Sequence, residues 1–232
     1  MDRAVVLVSG GINSSVAAAV AKEQYEVALL HIAWGHRAAD RELNAFESVA
    51  AALKIERTVV AEMSCLGMFG GNARAGRKQA IEDASALGAE TPATFVLGLI
   101  PTMLAVACTW AGAIGARKVI VGLSEDHDVP GPRISDLYPD YRQEFLQTFN
   151  FMLDYAKPPK RELVVEAPLI DLTRSEVIRL GKRMQVPLDK TWSCYHEGDR
   201  PCGRCWACTT RASGFLRAGL ADPLSLLPAH AP

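Results

Sequence analysis

No run of residues in this chain approaches the roughly 18 consecutive apolar positions that a membrane-spanning helix needs. The five apolar residues after Met1-Asp2-Arg3 are too short for the hydrophobic region of a secretory signal. Net charge is equally scarce: 25 Lys and Arg stand against 26 Asp and Glu, a formal balance of -1. That excludes a chain whose overall field wraps nucleic acid or holds an anionic membrane, so any anionic ligand must be read locally. Internal repeats and low-complexity tracts are missing too. No Lys-Ser or Lys-Thr pair follows the glycines at 10 and 11, and the fingerprint of three spaced glycines is absent, which removes the two commonest nucleotide-binding patterns. These absences point to a cytoplasmic protein, in a compartment where thiols stay reduced.

The chain has 232 residues, 49% of them apolar, enough for one well-buried core. Runs rich in Val, Leu and Ile fall at Ala4 to Val8, Val27 to Ile32, Arg57 to Ala61, Val119 to Gly122 and Leu163 to Ala167. Helical periodicity falls between them, at Ser14 to Lys22, Asp40 to Leu53, Ala93 to Ile114, Tyr141 to Tyr155 and Arg174 to Arg183. The strands lack polar alternation, as strands covered on both faces do. The pattern predicts an α/β fold: a doubly wound, mostly parallel sheet with helices on both faces. Thr173 and Glu176 form a capping box at the last of these helices. Residues 64–91 and 124–140 read as long loops, and the tail after Gly219 as irregular.

Four of the six cysteines fall within residues 194–208, as Cys194, Cys202, Cys205 and Cys208. Their spacing suits Zn2+ held by four thiolates, with an iron–sulfur cluster as the alternative. Such a zinc site is closed to water, so its task is to pin the C-terminal segment. His196 lies outside the ligand set, and Arg200 and Arg204 are placed to soften the thiolate charge. Cys65 and Cys108 read as small packing residues. At the other end, Val8-Ser9-Gly10-Gly11-Ile12-Asn13-Ser14-Ser15 ends the first strand in a glycine turn and starts a helix. Gly10 and Gly11 free the backbone for close approach of an anion, Ser9 and Ser14 add hydroxyls, and the helix adds its dipole. Phosphate binding and a plain structural turn both fit that stretch.

Four stretches together carry a resemblance. They are Ser9-Gly-Gly-x-x-Ser14, Trp34-Gly-His-Arg37 with Glu42-Leu43, Tyr138-Pro-Asp-Tyr-Arg142-x-Glu-Phe145, and Ala167-Pro-Leu-Ile-Asp-Leu-Thr173 running into Thr191-Trp-Ser-Cys194. They resemble the 7-cyano-7-deazaguanine synthase family of the ATP pyrophosphatase (PP-loop) superfamily, with its adenine nucleotide alpha hydrolase-like fold, from Val5 to about Phe215. The resemblance implies queuosine biosynthesis: an AMP-forming C–N ligase that adenylates 7-carboxy-7-deazaguanine and uses ammonia to make the nitrile. It implies ATP and Mg2+ at residues 8–15, with Lys157, Arg142 and Arg37 as catalytic or phosphate-contacting residues, and Zn2+ at the four cysteines. It also implies a homodimer that binds neither nucleic acid nor membrane directly. The expected organisation is a domain at 1–185, a zinc-binding segment at 186–218 packed on the same core, and a tail at 219–232.

The chain departs from that family pattern in four places. Asn13 replaces an aspartate, and Val96-Leu97-Gly98-Leu99-Ile100 replaces Val-Pro-x-Arg-Asn. His36 and Trp34 stand for Gln and Tyr, and Asp136-Leu137 for Ser-Gly. A related adenylating enzyme with another carboxylate or amine acceptor is one alternative, and a catalytically silent nucleotide-binding protein another. A zinc-dependent nucleic-acid binder fits poorly, because basic residues near the cysteines are few.

Overall fold

The computed structural model describes residues 2–76, 78–88, 90–125 and 133–225. Five strands, β1 (Arg3–Leu7), β2 (Glu26–Ala33), β3 (Thr58–Glu62), β4 (Lys118–Val121) and β5 (Val164–Glu166), pair in the order β3-β2-β1-β4-β5. Every pairing is parallel. β1 lies at the centre, and each of Ala4 to Val8 is at most 9% exposed, which is why the strands read as unbroken apolar runs.

Alternate β1 residues serve two cores. Ala4, Val6 and Val8 pack with α1 (Ile12–Lys22), α2 (Ala39–Ala52) and α7 (Arg174–Arg183). Val5 and Leu7 pack with α4 (Leu99–Ala113) and α6 (Gln143–Ala156) on the opposite face. The winding therefore reverses between β1 and β4. In open parallel sheets that reversal leaves a crevice beyond the carboxyl ends of the strands, where ligands bind.

The expected fold class is what the structure has, and the Thr173–Glu176 capping box forms as its residues predict. The helix expected from Ala93 starts only at Leu99, because Gly98 turns the chain in the left-handed region and Pro101 belongs in a first turn, where its missing N–H costs nothing. α8 (Trp206–Ala218) was not foreseen; the cysteine spacing obscured its periodicity, although Gly219 supplies the left-handed C-terminal stop. The two long loops hold the short helices α3 (Cys65–Met68) and α5 (Ile134–Leu137). Cys108 is buried as expected, but Cys65 is exposed and packs in no core. After α8 the chain is irregular to residue 225, yet it is anchored: Asp222 pairs at 3.0 Å with the buried guanidinium of Arg211.

Candidate active site at the sheet reversal

The turn after β1 is built by its own polar groups. Gly11 precedes the first helical residue and its carbonyl accepts from the Ser15 N–H (3.1 Å), Ser15 Oγ (2.8 Å) and Ser14 Oγ (3.1 Å). The Ser9 and Gly11 N–H groups donate to Ser14 Oγ and Ser9 Oγ at 3.2 and 3.3 Å. The two glycines differ in role. Gly10 has φ +83°, and a Cβ there would lie 2.5 Å from the Glu42 carbonyl oxygen, so glycine is needed for contact with α2. Gly122, just after β4, matters as much: a Cβ would sit 2.6 Å from the Ser14 nitrogen, so the bare backbone lets β4 abut the start of α1.

Above this turn lies a cavity of about 230 Å³. Val8, Ser9, Gly11, Ile12, Asn13 and Ser14 line one side; Tyr138, Asp140, Tyr141, Tyr195 and Trp206 line another. Arg174, the first residue of α7, donates to Asn13 Oδ1 at 2.6 Å and brings positive charge to the helix start. Arg74, delivered by the loop after α3, lies 3.5 Å from Glu42 and over the rings of Trp34 and Tyr195 at 5.0 and 5.1 Å. Burial opposes the charge on Arg74, but Glu42 and three tyrosines outweigh it and hold the guanidinium protonated. Burial likewise opposes the charge on Glu42; His36, 3.1 Å away, and Arg74 outweigh it and keep the carboxylate ionised. Glu42 is thus engaged by Arg74 and His36 of the protein itself.

Asp140 is different. Burial pushes its carboxyl up to about 6, only partly offset by a backbone N–H and Arg74, and Oδ1 has no hydrogen-bond partner among the described residues. A carboxyl raised above its unfolded value contributes stability that is full below about pH 4 and lost as pH passes through 6. Asp140→Asn is therefore expected to be more stable than the wild type by about 1–3 kcal/mol at pH 7.5, with the gap closing near about pH 4.5. Urea titrations at both values check this; a gap independent of pH refutes it.

The three residues expected to be catalytic do not line this cavity. Lys157 ends α6, bonds Asp154 at 2.6 Å and donates to the Leu163 carbonyl at 3.2 Å, just before β5. That is the amino end of the sheet, a full strand length from the turn. Arg37 donates to the carbonyls of Gly76 and Gln79, fastening the loop that carries Arg74. Arg142 Nε donates to the Ser135 carbonyl at 2.9 Å, bracing the segment that carries Tyr138 and Asp140. Arg74, Arg174 and Arg211 are the cations that the cavity does contain. Sequence reading missed them because none sits in a recognisable turn motif; each is delivered from a separate element.

The four cysteines converge. All four Sγ atoms lie within 4.8 Å of one another, and Cys202 and Cys208 sulfurs are 3.9 Å apart, close to the roughly 3.8 Å of a tetrahedral four-thiolate ion. Backbone N–H groups of His196 and Cys202 donate to Cys194 Sγ, and that of Cys205 to Cys202 Sγ. Hydrogen bonds from Cys205 and Cys208 hold the Cys194 thiol far below its usual range, and the contact with Cys194 in turn raises Cys205 to about 12. These residues could hold a metal ion. Arg204 does not reach the sulfurs; it pairs with Asp83 at 3.2 Å, where residue 83 bridges to Cys205.

This cluster also forms one wall of the cavity. The Trp192 N–H donates to the Gly10 carbonyl at 3.0 Å and its indole N–H to the Cys194 carbonyl at 2.9 Å, so one residue ties the cysteine segment to the turn. Arg211, on α8, donates to the Thr191 and Leu188 carbonyls and to Thr191 Oγ1 beneath it.

The model of the family described as "Queuosine biosynthesis protein QueC" matches residues 3–219. The 7-cyano-7-deazaguanine synthase of Chloroherpeton thalassium is 35% identical over 223 residues, covering 96% of both chains. That of Koribacter versatilis is 36% identical over 231 residues, covering 97% of this chain and 94% of the relative. Among solved structures, the U34-tRNA thiolase NcsA from Methanococcus maripaludis with its [4Fe-4S] cluster is similar at TM-score 0.48 and 13% identity, covering 91% of this chain and 63% of that one. The match along nearly the whole length, over a parallel sheet with its cavity at the winding reversal and four converging cysteines, places the chain in the family of the queuosine biosynthesis protein QueC.

Proposed function

We propose that this chain is a cytoplasmic 7-cyano-7-deazaguanine synthase. The observation that carries the reading is the juxtaposition, in one cavity, of the Ser9–Ser14 turn with a mostly aromatic wall large enough for a bicyclic base. ATP is the co-substrate, its phosphates at the turn and at the start of α1, where the N–H groups of the first helical turn and the helix dipole favour anions. Arg174 supports the departing pyrophosphate in the place that Lys157 does not reach. Mg2+ enters with the nucleotide and offsets its charge.

Chemically, a carboxylate is a poor electrophile. Its oxygen attacks the α-phosphorus of ATP, releasing pyrophosphate and leaving an acyl adenylate. Ammonia displaces AMP to give the amide. The amide oxygen attacks the α-phosphorus of a second ATP, again releasing pyrophosphate, and loss of AMP and of both amide N–H protons leaves the nitrile. The protein's part is to align the carboxylate with the α-phosphate, exclude water and stabilise the anions.

A single tetrahedral Zn2+ at Cys194, Cys202, Cys205 and Cys208 suits sulfurs this close, since a multi-iron cluster holds its thiolates further apart. Zinc there organises the cavity wall and has no open position for chemistry. The exposed apolar residues Phe151, Met152 and Tyr155 of α6 suit a homodimer contact.

A second reading rests on Leu99 and Ile100, which line the cavity and make part of its wall apolar. They favour a related enzyme that joins the activated base to a bulkier amine than ammonia. Incubation with ATP, Mg2+, 7-carboxy-7-deazaguanine and ammonia separates the two. The synthase yields the nitrile with two AMP for each; AMP without nitrile selects the second reading; no AMP refutes both.

A further inference from the structure

Three buried polar atoms on the walls of one cavity lack hydrogen-bond partners among the described residues: Asp140 Oδ1, Arg74 Nε and Trp206 Nε1. Leaving such an atom buried and unpaired is costly, so three in one cavity imply a ligand that completes them. Their types define it, since Asp140 offers an acceptor while Arg74 and Trp206 offer donors. The surroundings are aromatic: Trp206 and Tyr138 share a packed cluster with Phe95, Tyr141 and Tyr195. Flat faces and an in-plane donor and acceptor pattern call for a planar heterocycle.

We propose that Asp140 is the specificity-determining residue for the base, its carboxylate accepting from adjacent ring N–H and exocyclic amino groups of a 2-amino-6-oxo (guanine-type) edge, while Arg74 and Trp206 donate to the ring carbonyl. This rests on the synthase reading and deepens it. A carboxylate pairs with two adjacent donors, as a guanine-type edge presents, whereas an adenine edge offers a donor beside an acceptor. A cation role for Asp140 is disfavoured: among the described residues only the four cysteines form a group able to hold a metal, and the other carboxylate in the cavity, Glu42, is engaged by Arg74 and His36.

The test compares 7-carboxy-7-deazaguanine with its analogue lacking the 2-amino group, in the wild type and in Asp140→Asn. The wild type should disfavour the analogue on the order of 100-fold in kcat/KM, and Asp140→Asn should bring that ratio close to one. The ratio is unaffected if part of the variant is unfolded, because both substrates lose equally. An unchanged ratio in Asp140→Asn overturns the proposal, as does a variant whose only defect is a raised KM for ATP or one cured by extra Mg2+. So does a wild type that treats both substrates alike, a result that needs no variant. Calorimetric titration of the two carboxylates without ATP separates this from the synthase reading. Asp140-dependent discrimination in binding with no AMP formed sinks the synthase and keeps the base site. Nitrile formation with Asp140-independent discrimination sinks the base site alone.

Discussion

Cys205→Ser is expected to lose its metal, its C-terminal packing and its ATP turnover together. Cys205 contributes one of four converging sulfurs, caps α8, and meets Asp83 in a bridge from the loop that also delivers Arg74. Structural zinc in small zinc-finger peptides is worth about 10–16 kcal/mol, comparable to the whole net stability of a domain. Even a third of that, at about 2–4 °C per kcal/mol for a chain of this size, lowers the melting temperature by roughly 7–20 °C. Turnover falls because the Trp192 link to Gly10 and the Arg211 network are held by the same segment. Elemental analysis, a thermal melt and an AMP assay read the three effects. Full metal content with an unchanged melt would remove the cysteines from any structural role, and an iron content with visible colour would replace zinc by a cluster.

Substituting Gly10 by alanine should be nearly as damaging, for a different reason. The new Cβ would lie 2.5 Å from a main-chain oxygen of α2 and 2.8 Å from the Ala45 Cβ, at a φ of +83°. The left-handed conformation costs about 1–2 kcal/mol by itself, and neither α2 contact can yield without moving the helix. A total loss of about 2–4 kcal/mol is expected, with ATP turnover reduced on the order of 100-fold because the turn is displaced. Gly11→Ala is the control. Its Cβ would meet only Ser9 Oγ at 3.3 Å and the Trp192 carbonyl oxygen at 3.6 Å, so its stability should change by less than about 1 kcal/mol. Equal melts for the two variants would contradict the packing described for the turn.

The strands and most helices were legible in the residues because their cause is local. A run such as Ala4 to Val8 must be buried on both faces, and Thr173 with Glu176 closes its own helix cap within three residues. The four cysteines were legible for a related reason: ligand spacing is short-range, and three of them lie within seven residues. The ends of α4 and the whole of α8 were less so. The former turned on Gly98 and Pro101 inside an otherwise periodic run, the latter on a helix that begins between two metal-type ligands.

The chemistry of the cavity belongs to another class of information. By itself the sequence determined a parallel sheet with a glycine turn after its first strand and a four-cysteine clasp near its end, since each follows from neighbours in the chain. Only the tertiary structure decided that Arg74, Asp140, Arg174 and Arg211 share one cavity and that Lys157 lies at the sheet's other end. The reason is physical: long-range electrostatic partners are set by which loops cross the sheet reversal, and strand direction, not motif membership, fixes the end at which a side chain emerges.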